Sequence, residues 1–395
     1  MAKELNIGIF GCKRGTCIVS TLGVLENVRL HAVCDRDVKA FEKRKETRGI
    51  GDDVLFFTDF DEFIECGLDA VFLANNFHEH AKYAIKCIEK GIAVLSDTTA
   101  AGTLKECVEL CEAVEKYNGK YMLGANVPFM NGMIELNRIY KEGSFGKVLY
   151  AEGEYFHMET EEEWMELSSP TYHWRNYLPG PYYNMHSLGP LMYITDEMPK
   201  YVNGRSVYAP NSKPKNTPNK NLDAGSFCLY ETEKDAIFRT TGCCQLGPTG
   251  KWFRLVCENG TIETKRENQD WVIKHYTSFL KPKDIEKGYE SYAAPEHIID
   301  EIQRTVTHGG SDFLMAKEFI DYIQGKTTPF FTIYPAVTLS AAGIMGWLSV
   351  LDNGNCYEIP DFTKKEERDK WRNHDLTPFP DENGEGATLP CCSRH

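Results

Sequence analysis

The sequence predicts an α/β chain: a doubly wound parallel sheet in the first third, then an α+β half built on antiparallel strands with helices. Three observations carry this. Up to about residue 125, short apolar runs alternate with helical stretches, the rhythm of parallel strands joined by crossover helices. The first of those runs ends in closely spaced glycines, as a nucleotide-binding turn does. From Asn126 the rhythm changes, and strand-like runs follow one another through turn residues such as Glu258-Asn259-Gly260. Expected boundaries are 1–125 for a dinucleotide-binding domain, 126–361 for a substrate and oligomerisation domain, and 362–395 for a charged, Pro/Gly-rich extended arm.

Composition narrows the partners. A length of 395 residues exceeds one ordinary core, and 42% hydrophobic with 26% charged residues is a globular balance. With 44 basic against 58 acidic residues the net charge is −14, which repels nucleic acid and anionic membranes, so a small-molecule partner is expected. Met1 to Asn6 lead straight into a strand with no apolar signal core. No apolar run reaches the roughly 20 residues that span a bilayer. The 14 cysteines are scattered, with adjacent pairs at Cys243-Cys244 and Cys391-Cys392 and no CxxC, which reads as reduced thiols in a cytoplasm without a cysteine zinc site.

In the first half, Leu5 to Gly11 is a strand entering a turn whose glycines stand at Gly8, Gly11 and Gly15, a looser spacing than GxGxxG. Arg29 to Asp35 is a second strand, ending in an acid about 20 residues past the turn, where a ribose-binding carboxylate is expected. A carboxylate there repels an extra phosphate and favours NAD over NADP, with Arg36 beside it moderating the preference. Further strands run over Asp69–Ala74, Ile92–Asp97 and Lys120–Gly124, with helices over Glu79–Lys90 and Thr103–Tyr117. Ligands of such sheets sit past the carboxyl ends of the strands. That singles out Asn75, Asn76 and His78, then Asp97, Thr98 and Thr99, then Asn126; His78 reads equally as a loop cap and as a cofactor contact.

In the second half, a helix over Asn131–Lys141 precedes a strand over Gly146–His157, which turns Tyr155 and His157 to one face and Glu154 and Phe156 to the other. Glu159 to Glu166 reads as a solvated acidic segment and Pro210 to Asn221 as a mobile loop. Tyr172-His173-Trp174-Arg175-Asn176 leads into Gly180 to Pro190, where Pro181 suits a helix start. Tyr183 and Tyr182 then fall three and four residues before His186 on one helix face. Such a face suits proton transfer, or half-buried packing with satisfied polar tips. Strands are expected over Gly225–Glu231, Ala236–Thr241, Trp252–Cys257 and Thr261–Lys265; His308 to Met315 opens a helix, and Pro335–Leu351 is the last long apolar one. His157, His173, His186 and Glu154 could surround a divalent ion, but Glu154 faces away from His157, so no metal is expected.

On these residues the chain resembles the Gfo/Idh/MocA oxidoreductases over roughly residues 5–360, and within them the NAD-dependent glycoside hydrolases of the α-N-acetylgalactosaminidase type. The carrying features are Arg14-Gly15 after the turn glycine, Ser96 to Ala101 leading into Thr103, Tyr155-Phe156-His157, Tyr183-Asn184-Met185-His186 before Gly189-Pro190, and His308 to Phe313. The resemblance implies a Rossmann domain followed by an α+β domain with an open antiparallel sheet. It implies NAD bound by Gly8, Gly11, Arg14, Gly15, Asp35, Asn75, His78, Asp97 and Asn126. Catalysis falls to His186, Tyr183, Tyr155 and His157, and substrate binding to Tyr182, His173, Trp174, Arg175, His308 and Asp312. The chain departs from the dehydrogenase pattern in placing Thr98 at the usual lysine and Tyr182 at the usual aspartate. It departs from the hydrolase branch in Asp97 for glutamate and Thr98-Thr99 for Val-Pro.

Two activities fit. In the first, carbon 3 of a glycoside is oxidised transiently with NAD, the proton on carbon 2 is removed, the group on carbon 1 is eliminated, water adds, and carbon 3 is reduced again. His186 then serves the hydroxyl proton, Tyr155 with His157 the carbon-2 and leaving-group steps, and Tyr183 orients His186 or the sugar. In the second, a sugar, glycoside or cyclitol is oxidised or reduced outright, with His186 as the relay in place of the lysine. A non-catalytic NAD-binding regulator is the residual reading. An open sheet with an exposed face leads one to expect a homo-oligomer, a dimer or tetramer.

Overall fold

Short, largely buried strands separated by crossover helices determine the first half of the computed structural model, which describes residues 4–168, 171–243, 245–277, 281–297 and 308–394. The chain divides into two units: described residues up to Phe129 with 308–337 and Phe362–Asp375, and Met130–His297 with Thr338–Asp361 and 376–394. The first division thus falls at Phe129 rather than 125. The segment expected to be one arm is shared: residues 362–375, with a helix over Lys365–Trp371, belong to the first unit and the remainder to the second. Cys244 lies outside the described residues.

The first unit runs β1 (Leu5–Phe10), α1 (Cys12–Gly15), α2 (Val19–Leu22), β2 (Val28–Cys34), α3 (Val38–Arg48), β3 (Leu55–Phe57), α4 (Phe60–Phe63), β4 (Ala70–Leu73), α5 (His80–Glu89), β5 (Ala93–Ser96), α6 (Leu104–Tyr117) and β6 (Tyr121–Leu123). These strands form one parallel sheet in the order β3-β2-β1-β4-β5-β6, so the winding reverses between β1 and β4. Every residue of β4 and β5 is buried, as expected of strands covered on both faces. Local chemistry sets the helix starts: Asp37 accepts from Ala40 N at 3.0 Å to cap α3, and Thr103 with Glu106 forms a reciprocal capping box on α6.

The second unit contains α7 (Asn131–Lys141), β7 (Val148–Phe156), α8 (Glu161–Ser168), α9 (Met185–Thr195), β8 (Pro199–Tyr208), β9 (Asp223–Thr232), β10 (Ile237–Cys243), β11 (Gly250–Cys257), β12 (Gly260–Thr264), β13 (Trp271–Tyr276), β14 (Tyr289–Ala293) and β15 (Tyr357–Glu358). Its nine-stranded sheet has the order β14-β13-β12-β11-β7-β10-β9-β8-β15. The sheet is mixed, because β10 lies parallel to β7 while the other pairs are antiparallel. The long helical passage between β7 and β8 permits this, since parallel neighbours need a crossover that a tight hairpin cannot provide.

Strand alternation separates two faces of this sheet. Gly153 faces α9 so closely that a Cβ there would lie 2.2 Å from the Ser187 carbonyl oxygen. Across the open face stand Phe227, Leu229 and Ile237, each more than a third exposed, with Leu229 in register with Arg239 and, beyond it, Glu152. The loop expected to be mobile is tied at its end, where Lys220 N and Asn221 N both donate to Asn176 O, at 2.7 and 3.0 Å. The chain end is held as well: Ser393 N donates to Asp223 Oδ2 at 2.8 Å, and Trp347 Nε1 donates to Pro390 O at 3.0 Å. Among the described residues the helix Ile333–Leu351 alone is long and apolar enough to cross a membrane by length and composition, and it is mostly buried in the protein.

Candidate functional site

The carboxyl ends of β1, β2 and β4 define a nucleotide cradle in the first unit. Gly11 ends β1 at φ 99°, and a Cβ there would lie 2.4 Å from the Ala74 carbonyl oxygen just past β4, so only glycine lets the turn pass. The other two glycines act differently. Gly15 is pressed against Ile9 Cγ2, where a Cβ would stand at 2.4 Å, and so permits close helix–strand packing. Gly8 was expected at the cofactor, yet it is buried mid-strand, where a Cβ would meet Phe63 at 2.5 Å and Leu68 at 2.7 Å; its role is core packing.

Asp35 follows β2 half-buried. Its Oδ2 accepts from Cys12 N at 2.6 Å and its Oδ1 from Asp37 N at 2.8 Å. Since a carboxylate accepts about four hydrogen bonds, lone pairs remain for ribose hydroxyls. The Asn75 Oδ1, past β4, is a buried acceptor with no hydrogen-bond partner. A tight glycine turn, an acid at the ribose position and an unsatisfied amide oxygen fit a dinucleotide. Replacing Gly11 with alanine is expected to weaken NADH binding by about tenfold or more, read by titration of NADH fluorescence.

Past β5 and β6 a charged network closes the same unit. Arg14 Nε donates to Asp97 Oδ2 at 3.2 Å, and its Nη1 and Nη2 donate to Asp312 Oδ2 and Oδ1 at 3.1 and 3.2 Å. Asp312 also accepts from Asn126 Nδ2 at 3.1 Å and lies 2.9 Å from His308 Nδ1. Burial alone would raise the Asp312 carboxyl, but hydrogen bonds from His308 and Arg14 outweigh it and hold the group well below the usual carboxylate range. Asp312 was expected at the substrate. Its side chain has 0% exposure, so it serves instead as the anchor of Arg14, and His308 and Asn126 join that anchor.

The neighbouring loops are organised by a histidine that sequence reasoning did not single out. His80, buried at the start of α5, donates from Nδ1 to Thr99 O at 2.8 Å, its Nε2 lies 3.3 Å from Asn75 O, and burial lowers its pKa against these contacts. This ties the loop after β4 to the one after β5. His78 is pushed down to about 4 by burial and is packed where a Cβ on Gly102 would touch it at 3.1 Å. Thr98 occupies the position after Asp97 and brings no titratable group.

In the second unit the close approach at Gly153 brings the end of β7 against the first turn of α9. The Tyr155 ring lies 4.6 Å from that of His186, 6.0 Å from Tyr183 and 5.9 Å from His157, with which it is stacked. Tyr183 meets His186 edge-on at 4.8 Å. Pro181 opens a 3-10 turn over Gly180–Tyr183, and α9 starts only at Met185. The two tyrosines therefore part: Tyr182 is buried and packs edge-on against Phe379 at 5.2 Å, away from the expected shared helix face, while Tyr183 stays with His186. Pro190 lies inside α9 and supplies no N–H to the carbonyl one turn back, that of His186.

Beside this cluster a 3-10 turn over Trp174–Tyr177 presents Arg175, whose guanidinium carbon lies 4.5 Å from the Trp174 ring and 5.7 Å from the Tyr183 ring. His173 Nδ1 accepts from Arg175 N at 3.3 Å and so caps the turn. Glu159, expected in a solvated segment, is buried, with an oxygen 3.3 Å from His157 Nδ1 and 3.8 Å from Arg175. It precedes α8, whose exposed glutamates made the whole run look like surface. Glu154 is on the other face of β7, bound to Arg239 and Arg266. Among the described residues no three His, Cys, Asp or Glu side chains are placed to hold a metal.

A buried-strand parallel sheet with a glycine turn and a ribose-side acid defines an NAD-binding enzyme of the oxidoreductase type, and residues 5–125 match the oxidoreductase family's NAD-binding Rossmann fold. Residues 130–372 match the glycosyl hydrolase 109 C-terminal domain, and with that match spanning more than half the chain, the protein belongs to the glycosyl hydrolase 109 family. It is 24% identical to a glycosyl hydrolase family 109 protein of Shewanella putrefaciens, covering 91% of this chain and 85% of that one. It is also 24% identical, with the same coverage, to an alpha-N-acetylgalactosaminidase of Shewanella oneidensis. In structure it resembles levoglucosan dehydrogenase solved with NADH and L-sorbose, with a TM-score of 0.76 and 15% identity over 91% of this chain and 100% of that one.

Proposed function

We propose that this enzyme cleaves a glycoside by a redox-neutral route at NAD. The observation that carries the reading is the contact of Tyr155, His157, Tyr183 and His186 in a chain whose usual lysine position is Thr98. Bound NAD supplies reversible hydride exchange at carbon 3 of the sugar. His186 accepts the hydroxyl proton as that carbon is oxidised, a task suited to an imidazole, whose unperturbed titration lies near neutrality. Tyr155 takes the proton from carbon 2, which the adjoining ketone acidifies, and the electron pair left behind expels the group on carbon 1. His157, whose Nδ1 lies 3.3 Å from the buried Glu159 carboxylate, gives that leaving group its proton; water then adds to carbon 1, a proton returns to carbon 2, and carbon 3 is reduced again. Tyr183 fixes the His186 ring, and Arg175, beside the Trp174 and Tyr183 rings, donates to sugar oxygens.

The relatives named as glycosidases support this reading, and the substrate class it assigns is a glycoside. Incubation of the purified protein with nitrophenyl glycosides, followed by nitrophenol release and NADH absorbance together, tests it. Aglycone without net NADH is the expected result. Stoichiometric NADH without aglycone would assign net oxidation of a sugar, glycoside or cyclitol instead. We further infer a homo-oligomer covering the exposed Phe227, Leu229 and Ile237, for which native mass is the check. A cytoplasmic setting accords with the described cysteines being free and mostly buried, and cell fractionation decides it.

A further inference from the structure

We propose that Lys251 is a positioning residue for this chemistry, the cation that holds the Tyr155 phenol ready to give up its proton. The inference rests on the glycoside-cleaving reading and adds a residue to it. Lys251 and Tyr155 are direct partners in the antiparallel pairing of β11 with β7, so both side chains leave the same face of the sheet. The Lys251 Nζ lies 5.6 Å from the centre of the Tyr155 ring.

The cations on the opposite face are neutralised: Arg239, Arg254 and Arg266 each reach Glu152 or Glu154. No carboxylate among the described residues lies within ion-pair distance of Lys251. Burial pushes its ammonium down, and the more distant Asp270 only partly opposes this. A desolvated ammonium without a counter-ion favours a negative charge on whatever ionises beside it. Among the described residues the groups facing the pair include His157 just past β7, Tyr183 from the 3-10 turn, His186 from α9 and Asp270 from the turn before β13. Of the pair and the groups around it, Tyr155 is the one that the proposed reaction needs as a base in its anionic form. The phenolate takes the carbon-2 proton and becomes a phenol, while Lys251 stays an ammonium throughout, so its part is electrostatic.

The test pairs Lys251→Met, which keeps length and loses charge, with Lys251→Arg, which keeps charge. In Lys251→Met the acid limb of the kcat/KM profile is expected to move to higher pH, lowering activity below the limb about tenfold while the plateau kcat holds. Lys251→Arg is expected to restore the limb. Substrate-free tyrosinate absorbance, taken as the difference between wild type and Tyr155→Phe, is expected to show one phenol titrating below the others, and to lose that feature in Lys251→Met. A Tyr155 that titrates with the remaining tyrosines in the wild-type protein would overturn the proposal, and this needs no lysine variant to fold. An unmoved limb in Lys251→Met would overturn it too. An early-titrating Tyr155 in a protein that cleaves no glycoside would leave the Lys251 pairing standing and remove the reading on which its catalytic use rests.

Discussion

Replacing His186 with alanine is expected to lower glycoside turnover by about a thousandfold, the mid-range for loss of a positioned general base. The imidazole stands in the first turn of α9, nearly buried, in contact with the rings of both Tyr155 and Tyr183. In the proposed route the rings around it are otherwise engaged, Tyr155 at carbon 2 and His157 at the leaving group, and Thr98 brings no titratable side chain in place of the usual lysine. Hydride transfer should fail along with cleavage, since carbon 3 cannot be oxidised while its hydroxyl keeps the proton. Rapid-mixing absorbance at the NADH band separates this from a loss of cofactor: NADH fluorescence titration should be unchanged, because the cradle around Gly11 and Asp35 belongs to the other unit. A variant that still forms NADH on mixing with substrate would remove His186 from the role of base.

How much of this was legible in the residues follows from how local each signal is. The parallel sheet was readable because β1, β4 and β5 are short apolar runs bounded by glycine or polar residues, and the acid at the end of β2 stands at a fixed distance from the turn. α3 and β3 were not singled out, for good reason: α3 is a run of lysine, arginine and glutamate with Phe41 as its one buried residue, and β3 is only partly covered. The Tyr155, His157, Tyr183 and His186 grouping was readable because strand alternation and the YxxH spacing are local. Tyr182 was misplaced because a 3-10 turn, rather than an α-helix, follows Pro181. What stayed hidden depends on pairing between distant segments. Lys251 meets Tyr155 only through strand register, Glu159 is buried by Arg175 sixteen residues on, and Gly8 packs against Phe63 and Leu68. Arg14 and Asp312, 298 residues apart, offered no clue to each other beyond their separate likeness to family segments.

That last pair yields the largest effect expected on stability. Replacing Asp312 with alanine is expected to destabilise the first unit by about 1–3 kcal/mol, the usual cost of leaving a buried polar partner unsatisfied. Three groups lose an acceptor at once: the guanidinium of Arg14, which keeps Asp97, the amide of Asn126 and the ring of His308. Asn126 Nδ2 is buried and would be left unsatisfied, which is why the loss should exceed that of a surface pair. Acid titration of the wild-type protein reports the same contact with a definite sign. Because the Asp312 carboxyl is held below its unfolded value, the stability it contributes is present above the ordinary aspartate range of about 4 and is lost as the pH falls below that toward its own lower value. The melting temperature of the wild type should therefore drop more steeply below about pH 4 than that of Asp312→Ala, so that the two curves approach one another in acid. Parallel curves down to the acid limit would show that the carboxylate is no more stable in the folded chain than in the unfolded one, and that Arg14 is held by Asp97 alone.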